Sequence, residues 1–289
     1  MMYDWLLAPF VDYAFMRRAL VAVLAVACAS APMGVFLVLR RMSLMADAMS
    51  HAIMPGVALV FVTAGLSLPL MSLGGFCAGA VVAVMAGLLT RVSALREDAS
   101  FAALYLIALA SGVMLISWHG SAVDLTHLLF GSVLAVDEAG LWLITGIASC
   151  SLLIVAMLYR PLVIAMSDPT FFASQGGALT AMRVGYLLLV TLNLVAGFQV
   201  LGTLMAVGMM LIPAITARFW AQHLDTIILL AALLGVVAGM CGLLLSYHAS
   251  VAPGPAIILV AGGAYLISLL VGRYGSLRAR YWPSRHLAH

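Results

Sequence analysis

Lysine is absent from this 289-residue chain, and all thirteen of its cationic side chains are arginine. A Walker A loop ends in Gly-Lys-Ser/Thr because its lysine grips the terminal phosphates, so the chain is not itself a P-loop ATPase. A Schiff-base lysine is excluded for the same reason. Charge of either sign is scarce, at 8% of residues against about 25% in a soluble domain. Cysteine is thin as well: Cys28, Cys77, Cys150 and Cys241 fall one to an apolar segment, with no C-x-x-C. Neither a disulfide framework nor a thiolate metal site is indicated. A net charge of +3 without a basic soluble face gives no footprint for nucleic acid.

What remains is hydrophobic, 65% of residues with a mean hydropathy of +1.20. Apolar runs of 17 or more residues recur, each about the length that crosses a hydrocarbon layer. Only helices and closed barrels satisfy the backbone in lipid, and barrel strands would alternate, so the expected fold is an all-α integral membrane protein. The expected spans are 15–39, 43–65, 67–90, 101–118, 140–159, 184–198, 200–217, 226–247 and 255–272. Gly197-Phe198-Gln199 is all that separates the sixth from the seventh, which makes them either a tight hairpin or one broken unit. The run Leu125 to Val136 is too short to cross and reads as a re-entrant candidate. The polytopic bundle therefore has eight or nine transmembrane helices.

With nine crossings, every arginine from Arg40 onward falls on one side and only Arg17 and Arg18 on the other. Eleven against two places the carboxyl end in the cytoplasm. Arg17 and Arg18 oppose that vote at the amino end and leave the count at eight or nine. The Ala-rich run after Arg18 imitates a cleavable leader up to Ala31, yet it continues apolar to Leu39, so a retained helix is expected. No linker or repeat divides the chain. Residues 1–289 are expected to form a single transmembrane domain, with a basic cytoplasmic tail, 273–289, resting on anionic headgroups.

Asp47 and His51 stand out because they are ionisable and lie inside an apolar span. Four-residue spacing puts both on one helical face. A carboxylate near mid-bilayer costs about 2.5–3.5 kcal/mol on insertion scales, so it has a partner or a task. The pair is either a helix-internal hydrogen bond or the oxygen and nitrogen ligands of a divalent transition metal. Pro55 lacks an amide hydrogen, which deprives the His51 carbonyl of its helical partner and favours the ligand reading. One chain supplies two side-chain ligands where zinc usually takes four, so a two-fold homodimer would complete the site.

The longest expected cytoplasmic loop contains Ser167-Asp168-Pro169-Thr170-Phe171-Phe172-Ala173-Ser174-Gln175-Gly176-Gly177. Ser167 or Asp168 reads as an N-cap, Pro169 as the first turn and the two glycines as the stop. This short helix would show Phe171 and Phe172 either to a protein partner or to headgroups. His119, Asp124, His127, Asp137, Glu138 and His248 lie on the opposite side, where they either receive metal or meet a delivery protein or, the favoured reading for each singly, are ordinary solvated loop residues. Asn193 and Gln199 read as polar groups joining helices.

The run Gly34-Val-Phe-Leu-Val-Leu-Arg40-Arg41-Met-Ser-Leu-Met-Ala-Asp47-Ala-Met-Ser50-His51-Ala-Ile-Met-Pro55-Gly56 resembles the permease subunits of zinc/manganese ABC importers. The likeness extends through Leu129-Phe130-Gly131, Asp168-Pro169, Gly202 to Ala217 and Gly254-Pro255. It implies a homodimeric pore in a prokaryotic plasma (inner) membrane, fed with Zn²⁺ or Mn²⁺ by an extracytoplasmic metal-binding protein. Two cytoplasmic ATP-binding subunits would drive it, and the permease would be a non-catalytic subunit with no permanently bound cofactor. Asp47 and His51 fall on the family's metal positions. Asp168, Pro169, Phe171, Phe172, Ala173 and Gly176 fall on its ATPase-coupling helix. Ser132 after Leu-Phe-Gly and Ser250-Val-Ala-Pro253 depart from the family pattern near the outer face. Two other classes compete: an ATP-independent, proton-coupled secondary metal transporter relaying protons through Asp47, and a membrane metalloenzyme, which would need a third ligand that no H-E-x-x-H supplies. Zinc, manganese and iron all suit mixed nitrogen and oxygen ligands.

Overall fold

A computed structural model describes residues 7–65, 67–92, 97–118 and 133–278. Within them the chain forms twelve α-helices and one 3₁₀ turn, Val133–Ala135, with no strand among the described residues. In order the helices are α1 Ala8–Asp12, α2 Ala14–Leu39, α3 Leu44–Ala52, α4 Met54–Ala64, α5 Leu68–Val92 and α6 Glu97–Trp118. They continue with α7 Glu138–Ser167, α8 Pro169–Ser174, α9 Leu179–Leu201, α10 Thr203–Ala217, α11 Leu224–Ala249 and α12 Pro253–Val271. Taking α3 and α4 together as one span, eight segments are long and apolar enough to cross a membrane, while α10 is a shorter apolar helix of 15 residues. Leu129-Phe130-Gly131, Ser132, His119, Asp124, His127, most of the re-entrant candidate and the tail beyond Leu277-Arg278 lie outside the described residues.

Helix α2 is the hub, packing on α11, α10 and α7. In lipid no hydrophobic force draws helices together, so close contact depends on small residues that let backbones approach. Gly34 of α2 is such a site, since a Cβ there would lie 1.7 Å from the Met210 carbonyl oxygen. Gly56 of α4 and Gly74 of α5 do the same, with a Cβ on Gly56 only 2.0 Å from the Gly74 oxygen.

The turn between α9 and α10 lies later than the sequence suggested. Helix α9 runs through Gly197 and Phe198 to Leu201, and the chain reverses at Gly202, where φ is 84°. Both glycines sit in an apolar run, but they do different jobs. Gly202 supplies the left-handed backbone, whereas Gly197 leaves room for Ala206 of the returning helix. Contacts along α2 give the directions. Tyr186, early in α9, reaches Met33, while Ala196 and Leu201 cluster with Met16 to Ala27. Helix α10 returns from Met205 in that same cluster to Ala214 and Ala217, which pack with Val35 and Val38.

The two ends of the bundle can therefore be identified. Leu39, Arg218, Phe219 and Tyr274 line one cleft, so α2, α10 and α12 finish at the same end. At the other end the rings of Tyr13 and Tyr247 lie 5.7 Å apart, and Arg18 pairs with Glu138 at 3.0 Å. The first residue of α2 and the last of α12 thus lie at opposite ends, as nine passes require once α10 is counted.

Candidate metal pathway

The helix expected over 43–65 is interrupted at Ile53, between α3 and α4. Pro55 stands in the first turn of α4, where a missing amide hydrogen costs least. The break, two residues beyond His51, departs from the unbroken span expected there, and the His51 carbonyl that Pro55 leaves without its usual donor accepts from the Ile53 amide instead. Helix α6 packs across this junction. Its Gly112 leaves the space that brings Pro55 and Met54 near, a Cβ there lying 3.0 Å from the Pro55 nitrogen.

Helix α3 buries Met45, Ala46, Ala48, Met49, Ser50 and Ala52. Its remaining face carries the pair. The His51 side chain is 25% exposed and that of Asp47 63%, with Nε2 and Oδ1 3.9 Å apart. That separation is too long for a direct hydrogen bond, so the helix-internal pairing is not made as a hydrogen bond. His51 Nδ1 is buried and finds no hydrogen-bond partner. Beside the pair is a cleft of about 410 Å³ lined by Arg41, Met42, Ser43, Asp47, Phe101 and Tyr105, among others. Tyr105 faces the imidazole, ring centroids 6.4 Å apart and planes 27° apart. Nothing in the sequence singles Tyr105 out. Its relation to His51 exists only because α6 packs on α3.

Among the described residues no cluster of three or more His, Cys, Asp or Glu forms a ready metal cage. Asp47 and His51 are two donors opening on the surface of one chain, and Leu44, one turn before Asp47, is 84% exposed. Such a face is incomplete by itself.

The expected cytoplasmic helix is α8. Asp168 is its N-cap: Oδ1 accepts from the Phe171 amide at 2.9 Å and from the Thr170 hydroxyl at 2.6 Å. These donors hold the Asp168 carboxyl below its ordinary value, the Phe171 amide foremost. Pro169 opens the helix and Gly176, with φ 78°, closes it. Phe171 and Ala173 are exposed, but Phe172 folds back on Gly177, which would carry a Cβ 2.4 Å from its ring. The aromatic surface is thus narrower than two adjacent phenylalanines suggest. Helix α8 packs on the ends of α7 and α9 and carries its exposed face outward.

Other polar groups have local tasks. Asp137 caps α7 by accepting from the Gly140 amide at 2.8 Å, and Glu138 holds Arg18. His248 sets its ring edge-on to Tyr247. Asn193 bonds back to the Leu189 carbonyl at 3.0 Å, serving its own helix rather than bridging to another.

Comparison with known proteins gives one consistent picture. The profile of the ABC 3 transport family matches residues 12–272. The chain is 34% identical over 277 residues to "Manganese transport system membrane protein MntC" of Halalkalibacterium halodurans, covering 95% of this chain and 93% of that one. It is 31% identical over 280 residues to "Chelated iron transport system membrane protein YfeD" of Yersinia pestis, covering 97% and 93%. Among solved structures it resembles "PsaBC from Streptococcus pneumoniae in complex with Fab", with a TM-score of 0.84 and 30% identity over 97% of this chain and 100% of that one.

Proposed function

The chain belongs to the ABC 3 transport family, and from that premise we propose that it is the pore-forming half of an ATP-driven importer of a divalent transition metal. Mn²⁺ and Zn²⁺ are the first cargoes to test. Asp47 and His51 are the ligands. Two copies meet along the face of α3, so that two carboxylates and two imidazoles converge on one point of the two-fold axis.

The observation that carries this reading is the unfinished pair. An ionisable group on an otherwise apolar helix surface costs about 2.5–3.5 kcal/mol against lipid. A second copy removes that cost by turning the surface into a seam, and a passing cation removes the mutual repulsion of the two carboxylates. Four nitrogen and oxygen donors suit zinc or manganese, and geometry rather than donor type discriminates between them. The break at Ile53 matters because α3 can tilt without dragging the whole of α4, which changes access from one side to the other.

The end bearing Arg40, Arg218 and Arg273 is cytoplasmic on the positive-inside rule. There α8 offers Phe171 and Ala173 to an ATP-binding subunit, with Asp168, Pro169, Phe172 and Gly176 shaping the helix that carries them. A metal-binding protein delivers cargo at the opposite end. The permease supplies path and ligands, and its partners hydrolyse ATP.

The test is ATP-dependent uptake of radiolabelled Mn²⁺ and Zn²⁺ by the reconstituted transporter, native against Asp47→Ala and His51→Ala. Both variants are expected to lose uptake while retaining assembly. Native uptake in both variants refutes the ligand assignment. Uptake that survives ATP depletion but stops when the proton gradient collapses refutes the ATP-driven reading in favour of proton coupling.

A further inference from the structure

A metal-bound imidazole is ordinarily fixed by its second nitrogen, which donates to a carbonyl or carboxylate and sets both tautomer and ring angle. His51 lacks that device. Its Nδ1 is buried without a hydrogen-bond partner, and Nε2 is the atom turned toward Asp47. The ring is instead met by Tyr105, nearly parallel to it.

Tyr105 is well anchored for such a task. Phe101, Tyr105, Ala108 and Gly112 recur at helical spacing along one stripe of α6. Phe101 and Ala108 are buried, and Gly112 receives the Pro55 turn. The stripe therefore seats α6 against both sides of the α3–α4 break. Tyr105 also lines the same cleft as Asp47. One aromatic side chain thus lies alongside the imidazole, ring centroids 6.4 Å apart, and borders the space that a cation would occupy.

We propose that Tyr105 is the positioning residue of the site, flanking the His51 ring in an offset, near-parallel arrangement where a hydrogen-bonded partner is missing, so that Nε2 is presented beside Asp47. The proposal rests on the reading of Asp47 and His51 as ligands. Its consequence is mechanical. A stacked ring is oriented but not locked, and its support comes from a different helix than the ligands. Displacement of α6 relative to α3 withdraws that support and lowers affinity without altering either ligand.

The experiment uses the purified transporter, permease with its ATP-binding subunits, and Mn²⁺ alone as the probe. Affinity is read by electron paramagnetic resonance titration. Imidazole ligation is read by nitrogen modulation of the electron spin echo, which a merely structural role would not move. Tyr105→Ala is expected to weaken Mn²⁺ binding about tenfold, the lower end of what loss of an orienting neighbour costs, and to diminish the nitrogen signal. Tyr105→Phe keeps the ring and stays within about twofold of native. Tyr105→Leu keeps bulk without the aromatic face, so it carries the test if the alanine variant fails to fold, and it is expected to behave like alanine. Adding Tyr105→Ala to His51→Ala should weaken binding no further. Native affinity and native nitrogen signal in Tyr105→Leu, while His51→Ala loses both, overturns the role of Tyr105 alone. A His51→Ala variant that keeps the nitrogen signal overturns the ligand reading beneath it.

Discussion

Gly56→Ala adds one methyl group at the closest helix crossing near the site. Its Cβ would lie 2.0 Å from the Gly74 oxygen, 2.5 Å from the Gly74 carbon and 2.8 Å from the Ala78 Cβ. Two of these three atoms are backbone, so no rotamer change relieves the clash. The nearest contact must open from 2.0 Å to at least 3.0 Å, the limit that real Cβ atoms respect, and α4 and α5 must part by about 1 Å. Overpacking of this kind costs about 1–3 kcal/mol, more where the strain is held by backbone. Because α4 begins one residue after the break, that displacement also bears on the α3 face that carries Asp47 and His51. Gly146→Ala is the control, since nothing lies within 4 Å of a Cβ there; it sits inside α7, where alanine gains up to about 1 kcal/mol of helix propensity. Thermal melting of the purified protein and Mn²⁺ uptake are measured together. Gly56→Ala is expected to melt several degrees lower and to transport poorly, and Gly146→Ala to melt at or above native. If Gly56→Ala melts and transports like native protein, the close α4–α5 crossing is not how these helices meet.

Tyr186→Phe removes the buried hydrogen bond to the Met33 carbonyl at 2.6 Å and should lower stability by about 1 kcal/mol, read from the same melts. Asp168→Ala should fray α8 and reduce the stimulation of ATPase activity by transport, while Asp168→Asn, still a good cap, should preserve it. The Asp168 carboxyl is held below its ordinary value of 3.8, so its contribution is complete above that value and is lost only as pH falls below it; the Asp168→Ala defect should therefore be constant from pH 5 to 8. Arg18→Gln breaks a pair whose side chains are 39% and 76% exposed, and it should shift stability by less than about 1 kcal/mol.

Much of this architecture is legible in sequence because the bilayer constrains it so strongly. Apolar length finds the spans, and helical spacing alone puts Asp47 and His51 on one face. Pro55 tells that the His51 carbonyl loses its usual donor but not that the helix breaks at Ile53, whereas Asp168-Pro169 marks the start of α8. Sequence fails where a packing partner decides. Gly197 and Gly202 look equivalent in an apolar run until Ala206 claims the space above one of them. Phe172 looks as free as Phe171 until Gly177 turns under it. Tyr105 is one aromatic among many in a featureless span, and its meeting with His51 depends on how α6 crosses α3. Asn193 reads as a group that joins helices, but the Leu189 carbonyl one turn earlier in its own helix takes its amide hydrogen.

The ion pair near the start of α2 bears on how the chain enters the membrane. Arg17 and Arg18 near the start of α2 are matched in number by Arg40 and Arg41 after it, so that segment emerges from the ribosome with no arginine bias to orient it. Glu138, which pairs with Arg18, is synthesised 120 residues later. On the proposed orientation the Arg18 guanidinium must be carried across before its neutralising carboxylate exists, so later loops rather than the leading helix dictate insertion.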